Sequence, residues 1–189
     1  PRGWVGTGTI SSACYSPSKG IRFTNESAYR SFTPDTVRSV QFAQCYVKSS
    51  SGYAVSYIYA GTSDLAGVAA VVRLNSNGKI EALNGNGSGG GTWVTLAPYT
   101  QDEWCRITIK LNYSSGTYRA AVQGGYCSTD LGFRDSTAGT GLAAIGFSET
   151  VGSTFYVDDV YAGDSPFAPG QDGHGYWYQW KYNKSCMEY

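Results

Sequence analysis

The chain has 189 residues, 14 Lys plus Arg against 14 Asp plus Glu, 15% charged residues and 15% aromatic ones. Such a length fits one globular domain, and a balanced charge gives no field to draw the chain onto nucleic-acid phosphates or an anionic membrane. No apolar run approaches the ~20 residues that span a bilayer, and the order of a signal peptide is missing at Pro1, so the expectation is a mature or trimmed chain.

No window carries apolar residues at the three- and four-residue spacing of an amphipathic helix. Short β-branched and aromatic runs broken by Gly, Ser, Asn and Pro predict strands at residues 5–11, 20–24, 28–32, 37–48, 53–59, 68–74, 79–83, 92–97, 104–112, 117–123, 142–147 and 155–161. Asn77-Gly78 reads as a two-residue hairpin turn and Ser115-Gly116 as a second turn. In 104–112, alternation puts Cys105, Ile107, Ile109 and Leu111 on the core face and Arg106, Thr108 and Lys110 on the other. In 53–59, Tyr53, Val55, Tyr57 and Tyr59 share one side, and one face of this run is expected to carry exposed tyrosines. Residues 84–91, with five glycines, predict a mobile loop. The regular pattern ends near Gly163, which divides a β domain, residues 1–163, from an aromatic extension, residues 164–189.

Cys14, Cys45, Cys105, Cys127 and Cys186 form no CxxC pair and have no neighbouring His, which argues against a zinc cluster. Asn25, Asn86, Asn112 and Asn183 head Asn-x-Ser sequons in turns or strand ends. Together with the low Lys and Glu content they point to an extracellular or cell-surface protein. There at least one disulfide is expected among the five cysteines, with the pairing open and a buried free thiol at Cys105 as its competitor.

The stretch Asp102-Glu103-Trp104-Cys105-Arg106-Ile107-Thr108-Ile109-Lys110-Leu111, with Gly116 to Gly124 after it, resembles the laminin-G-like and concanavalin A-like jelly-roll superfamily. There a Trp opens a strand, a hairpin follows, and a second strand ends in Gly. Residues 142–147 followed by Phe155-Tyr156-Val157-Asp158-Asp159-Val160 resemble the superfamily's closing strands. The resemblance covers about residues 4–163 and implies one antiparallel β-sandwich with Trp4 and Trp104 as core anchors. Its usual first strand is not apparent, so that strand is absent or another segment replaces it.

That superfamily holds lectins, glycosidases, lyases and structural modules, so function rests on particular residues. Its glycosidases use paired carboxylates. The resembling Glu-x-Asp-x-x-Glu triplet does not occur here, and Glu81, Glu103 and Glu149 each read as a solvated loop or strand-end residue. The Gln-x-His of its lyases is also missing, His174 being the single His. Asp158 and Asp159 are adjacent, so a strand sends them to opposite sides. The resemblance implies a structural calcium site using one of them, against a carboxylate that accepts backbone N–H groups at a strand end. Tyr53, Tyr57, Tyr59, Trp93, Tyr118, Trp177 and Trp180 are the candidate sugar-stacking rings, since pyranose C–H faces pack on aromatic rings; the competing reading of each is sheet packing.

These readings combine into a non-catalytic extracellular module that binds a glycan or polysaccharide or mediates adhesion. Two alternatives compete: a structural subunit that assembles with copies of itself by strand or tail exchange, and a polysaccharide-degrading glycosidase or lyase. In the extension, Tyr176, Tyr178, Trp180 and Tyr182 share one face of an extended segment, expected to pack on its own sandwich or on a neighbour, with Cys186 available to lock the contact.

Overall fold

The computed structural model describes residues 4–12, 14–15, 20–33, 37–50, 55–123, 126–150, 152 and 154–164. Every regular element among them is a strand: β1 Trp4–Gly6, β2 Thr9–Ser11, β3 Gly20–Phe23, β4 Ser27–Ser31, β5 Val40–Ser49, β6 Ser56–Gly61, β7 Val68–Leu74, β8 Lys79–Gly85, β9 Gly91–Pro98, β10 Cys105–Asn112, β11 Thr117–Val122, β12 Tyr126–Cys127, β13 Leu131–Gly132, β14 Ala144–Glu149 and β15 Phe155–Gly163. One sheet runs β1-β4-β14-β6-β7-β8-β9; the other runs β12-β11-β10-β5-β15-β3-β2, with β13 beside β11. Their pairings are antiparallel, which makes the expected β-sandwich.

The core follows from alternation. Ile107, Ile109 and Leu111 of β10 and Ile58 and Ala60 of β6 are buried between the sheets. Phe23, Phe147 and Phe155 meet there with ring centroids 6.2 to 6.5 Å apart, so truncating one to Ala costs about 3–5 kcal/mol. Tyr118 lies in this core rather than on the surface. Its ring is 1% exposed, and its hydroxyl donates to the carbonyls of Leu83 at 2.6 Å and Val71 at 3.2 Å, so a sugar-stacking role for it is corrected.

Several boundaries differ from the sequence expectation for physical reasons. The run 5–11 splits: β1 joins one sheet and β2 the other, with Gly6 at φ 116° between them. A Cβ at Gly6 would lie 2.3 Å from the Ser27 carbonyl oxygen, so only glycine permits this crossing. The β7–β8 hairpin has a three-residue loop, Ser76 to Gly78, closed by Asn75 N–H to the Lys79 carbonyl. Gly78 supplies the left-handed residue at φ 71°, so the two-residue reading misjudged the turn length.

Trp104 is not a core anchor. It packs on the outer face of the second sheet against Tyr15 and Tyr156, with the Lys48 ammonium 5.4 Å from its ring. Trp4 is half-buried against the core, 5.7 Å from Phe147. Glu81 and Glu149 are buried rather than solvated. Glu81 pairs with Arg73, and Glu149 accepts the Asn25 N–H; Glu103 is exposed as expected.

Candidate functional site

On the seven-stranded sheet, register places Tyr57 of β6 opposite Arg73 of β7, Tyr59 opposite Val71, Arg73 opposite Glu81 of β8, and Leu83 opposite Trp93 of β9. All therefore point to the face turned away from the core. The face is partly apolar: Val68, Val71 and Leu83 form a cluster of their own, with Tyr57, Tyr59, Leu65 and Trp93 half-buried around it. Tyr57 stacks with Tyr59 at 5.8 Å and 16° between ring planes, and lies 6.4 Å from Trp93. Strands β6 and β9 are three spacings apart, about 14 Å, so the rings converge over β7 and β8. They wall a cleft of about 590 Å³ whose remaining lining includes Gly89, Gly90, Gly91 and Arg134.

Two loops complete the cleft. Leu65 enters from the β6–β7 connection, where Thr62 and Asp64 bind backbone N–H groups and hold Leu65 at φ 57°. Its side chain reaches over Gly146, where a Cβ would sit 2.3 Å from Leu65 Cδ1. Glycine at 146 is what lets Leu65 lie down on the sheet. Beyond it a second cavity, about 170 Å³, shares Tyr59 and Leu65 and extends to Val5 and Tyr29.

The second loop overturns an expectation. Residues 84–91 do not form an unsupported loop: β8 and β9 run into them, and Asn86 Oδ1 accepts the N–H groups of Ser88 and Gly90. Gly87 and Gly89 donate to the carbonyls of Phe133 and Arg134, while Arg134 and Asp135 donate to those of Ala69 and Val68. Arg134 is thus fixed by its backbone between β7 and the glycine loop. The glycines are needed because the two backbones nearly touch; a Cβ at Gly85 would lie 2.3 Å from the Phe133 carbonyl oxygen.

Charges on this face differ in how they are held. Arg73 covers the Trp93 ring at 3.8 Å and donates from Nε and Nη2 to one Glu81 oxygen, both at 2.7 Å, which fixes the indole from behind. Arg134 gives Nη1 to Asp135 Oδ2 at 3.1 Å, and the same oxygen accepts the Val68 N–H at 2.8 Å. Burial pushes the Tyr59 phenol above its ordinary pKa, and its hydroxyl lies 3.2 Å from Ser148 Oγ.

The candidate rings thus separate. Tyr57, Tyr59 and Trp93 share the cleft, Tyr118 is in the core, and Tyr53, Trp177 and Trp180 lie outside the described residues. Leu65 and Arg134 were not among the candidates, although a lone Leu after Thr-Ser-Asp is a signal that a turn carries it onto a surface. Asp158 Oδ2 accepts the Tyr15 N–H and its Oδ1 accepts the Asp159 N–H, both at 2.8 Å, where a bulge puts Asp159 at φ 45°. With backbone N–H groups on both oxygens, Asp158 makes the acceptor contacts of the competing reading, at a bulge within β15 rather than at a strand end. Among the described residues, no three His, Cys, Asp or Glu side chains gather as a metal cluster.

Asn25 and Asn86 are exposed and Asn112 is half-exposed, with Asn86 and Asn112 side chains closing turns; Asn183 lies outside the described residues. Cys14, Cys45 and Cys105 are free thiols. The expected disulfide is therefore not formed among these three, while the side chains of Cys127 and Cys186 fall outside the description. The aromatic extension from 165 onward, with its expected packing, does so too.

No protein-family model matches the chain, and no curated protein matches it in sequence. Solved structures share the fold. A sialidase is similar at TM-score 0.66 and 8% identity over 87% of this chain and 17% of its own. The binding domain of botulinum neurotoxin DC in complex with SialylT is similar at TM-score 0.54 and 9% identity, over 87% of this chain and 43% of that one. A carbohydrate esterase from the Shiga toxin-encoding bacteriophage phi24B matches at TM-score 0.56 and 10% identity, over 85% and 89%. The chain spans less than half of the sialidase and toxin chains, and at these identities the likeness establishes the β-sandwich fold.

Proposed function

We propose that this domain is a non-catalytic carbohydrate-binding module whose site is the aromatic cleft of the seven-stranded sheet. One observation carries the reading: Tyr57, Tyr59 and Trp93 converge over an apolar floor, the pairing of ring faces and aliphatic groups that receives the C–H face of a pyranose. The adjoining cavity past Leu65 gives a longer ligand room to continue toward Tyr29, about five strand spacings or 24 Å from Trp93. Similar folds in a toxin binding domain solved with SialylT, and in one whose cell entry depends on ganglioside molecules, lend support by analogy. An extracellular or cell-surface setting accords with such a role. A glycan array followed by calorimetry on the hits tests the proposal. The expected result is binding by the native protein and its loss in Trp93→Ala; binding to no glycan, or equal binding by both proteins, would refute it.

A further inference from the structure

Of the side chains that line the cleft, one is charged, Arg134. Its surroundings differ from those of Arg73 in a way that bears on ligand class. Arg73 is 21% exposed, its fork is closed by Glu81, and its flat face lies against Trp93. Arg134 is 35% exposed, and of its five N–H donors a single nitrogen, Nη1, is engaged by a side chain among the described residues. Its partner Asp135 is 13% exposed; its Oδ2 also accepts the Val68 N–H, and its Oδ1 lies 3.6 Å from where a Cβ at Gly89 would stand. Gly89, Gly90 and Gly91 line the cleft beside Arg134 and contribute no side chains of their own to it. An ideal Cβ at Gly89 would come 4.0 Å from Nη2, which places that nitrogen beside the glycine loop. Backbone bonds on both sides hold the residue, its N–H to Ala69 and its carbonyl to Gly89.

We infer that the cleft selects carboxylated sugars, with Arg134 as the specificity-determining residue that receives the carboxylate while Tyr57, Tyr59 and Trp93 receive the ring. The inference rests on the carbohydrate-binding reading above and adds the ligand's charge to it. A planar guanidinium fork pairs two donors with the two oxygens of a carboxylate, and does so best where apolar walls limit water. The aromatic rings and the cation line one cavity, the combination an acidic pyranose requires.

The test uses matched pairs on the whole chain: trigalacturonate against its methyl ester, and 3′-sialyllactose against lactose, by calorimetry at low and physiological salt. At least one acid is expected to bind about tenfold or more tightly than its neutral partner, with Arg134→Gln removing that preference. Arg134→Lys, which keeps the charge and loses the fork, is expected to fall between them. Which acid is preferred separates uronate from sialate sources. Neutral sugars bound as well as acids by the native protein, or an acid preference that survives in Arg134→Gln, overturns the inference and leaves the module reading intact. Should Arg134→Gln not fold, the native acid-to-neutral ratio and the Arg134→Lys value decide. Binding to no glycan at all, acidic or neutral, instead removes the reading on which the inference stands.

Discussion

The two outer faces of the sandwich are both aromatic, yet they are built to opposite ends. On the seven-stranded sheet Tyr57, Tyr59 and Trp93 stand half-exposed around a cleft. On the eight-stranded sheet Tyr15 stacks on Tyr46 at 3.8 Å and 12°, Trp104 packs edge-on to Tyr15 and Tyr156, and Lys48 caps the ring of Tyr156 at 4.8 Å. Tyr46 is 4% exposed, and burial raises its phenol pKa. Here the rings pack chiefly on one another, Tyr46 lying buried beneath Tyr15. What distinguishes a site from packing is therefore the space between rings and not their number.

The sharpest way to break this contrast is to remove one indole from each face. Trp93→Ala is expected to weaken glycan binding about thirtyfold or more, as loss of a central aromatic anchor does. Trp104→Ala should leave binding unchanged and lower stability by about 2 kcal/mol, or about 4–8 °C in Tm for a chain of this length. Calorimetry and thermal melting of the two variants check both halves. Equal binding losses would show that the faces are not functionally distinct.

A milder change tests whether the cleft's shape matters apart from its rings. Gly146→Ala drives a methyl group into Leu65 Cδ1, the far end of a side chain that can swing away, while its next neighbour, Tyr29 Cβ, is 3.2 Å off. Displacing Leu65 should alter binding several-fold while stability falls by about 1 kcal/mol or less, about 2–4 °C in Tm at most. A large stability loss with unaltered affinity would assign Leu65 to the core instead.

Tyr118 offers the control inside the sandwich. Tyr118→Phe removes a buried hydroxyl that serves two carbonyls, which costs about 1.5 kcal/mol or about 3–6 °C in Tm, and should not change glycan affinity. This residue also shows why part of the site was legible in sequence and part was not. The period-2 pattern of 53–59 placed Tyr57 and Tyr59 on one face, because alternation is local. Whether Tyr118 faces core or solvent depends on which sheet covers it, and that is settled by pairing between residues far apart in the chain. Arg134 gave no sequence signal, since it reaches the cleft through backbone bonds to Ala69 and Gly89. The glycine run 84–91 read as a mobile loop for the same reason: composition reports the absent side chains and not the neighbouring backbone they admit.

The smallest expected effect at neutral pH concerns the thiols of the core side of the second sheet. Cys45 is buried, which pushes its thiol pKa up, with Cys105 adding to the shift, and Cys105 is pushed up to about 12 by its own desolvation. Both are thus neutral in the folded state, while in the unfolded chain they ionise near 9.0. A group whose folded pKa is raised contributes stability that is complete below the unfolded pKa and is lost as pH climbs toward the folded one. Stability should hence be flat with respect to these thiols from pH 6 to 8 and fall from about pH 9 upward, by at most about 1.4 kcal/mol per pH unit for each thiol. Alkylation gives the independent check. In the folded protein at pH 8, Cys14 should react, and Cys45 and Cys105 should react after unfolding without reductant. A Cys45–Cys105 crosslink found by mass spectrometry, or rapid labelling of Cys45 in the native state, would mean that this side of the core is open or oxidised, against the closed packing on which the contrast between the two sheets depends.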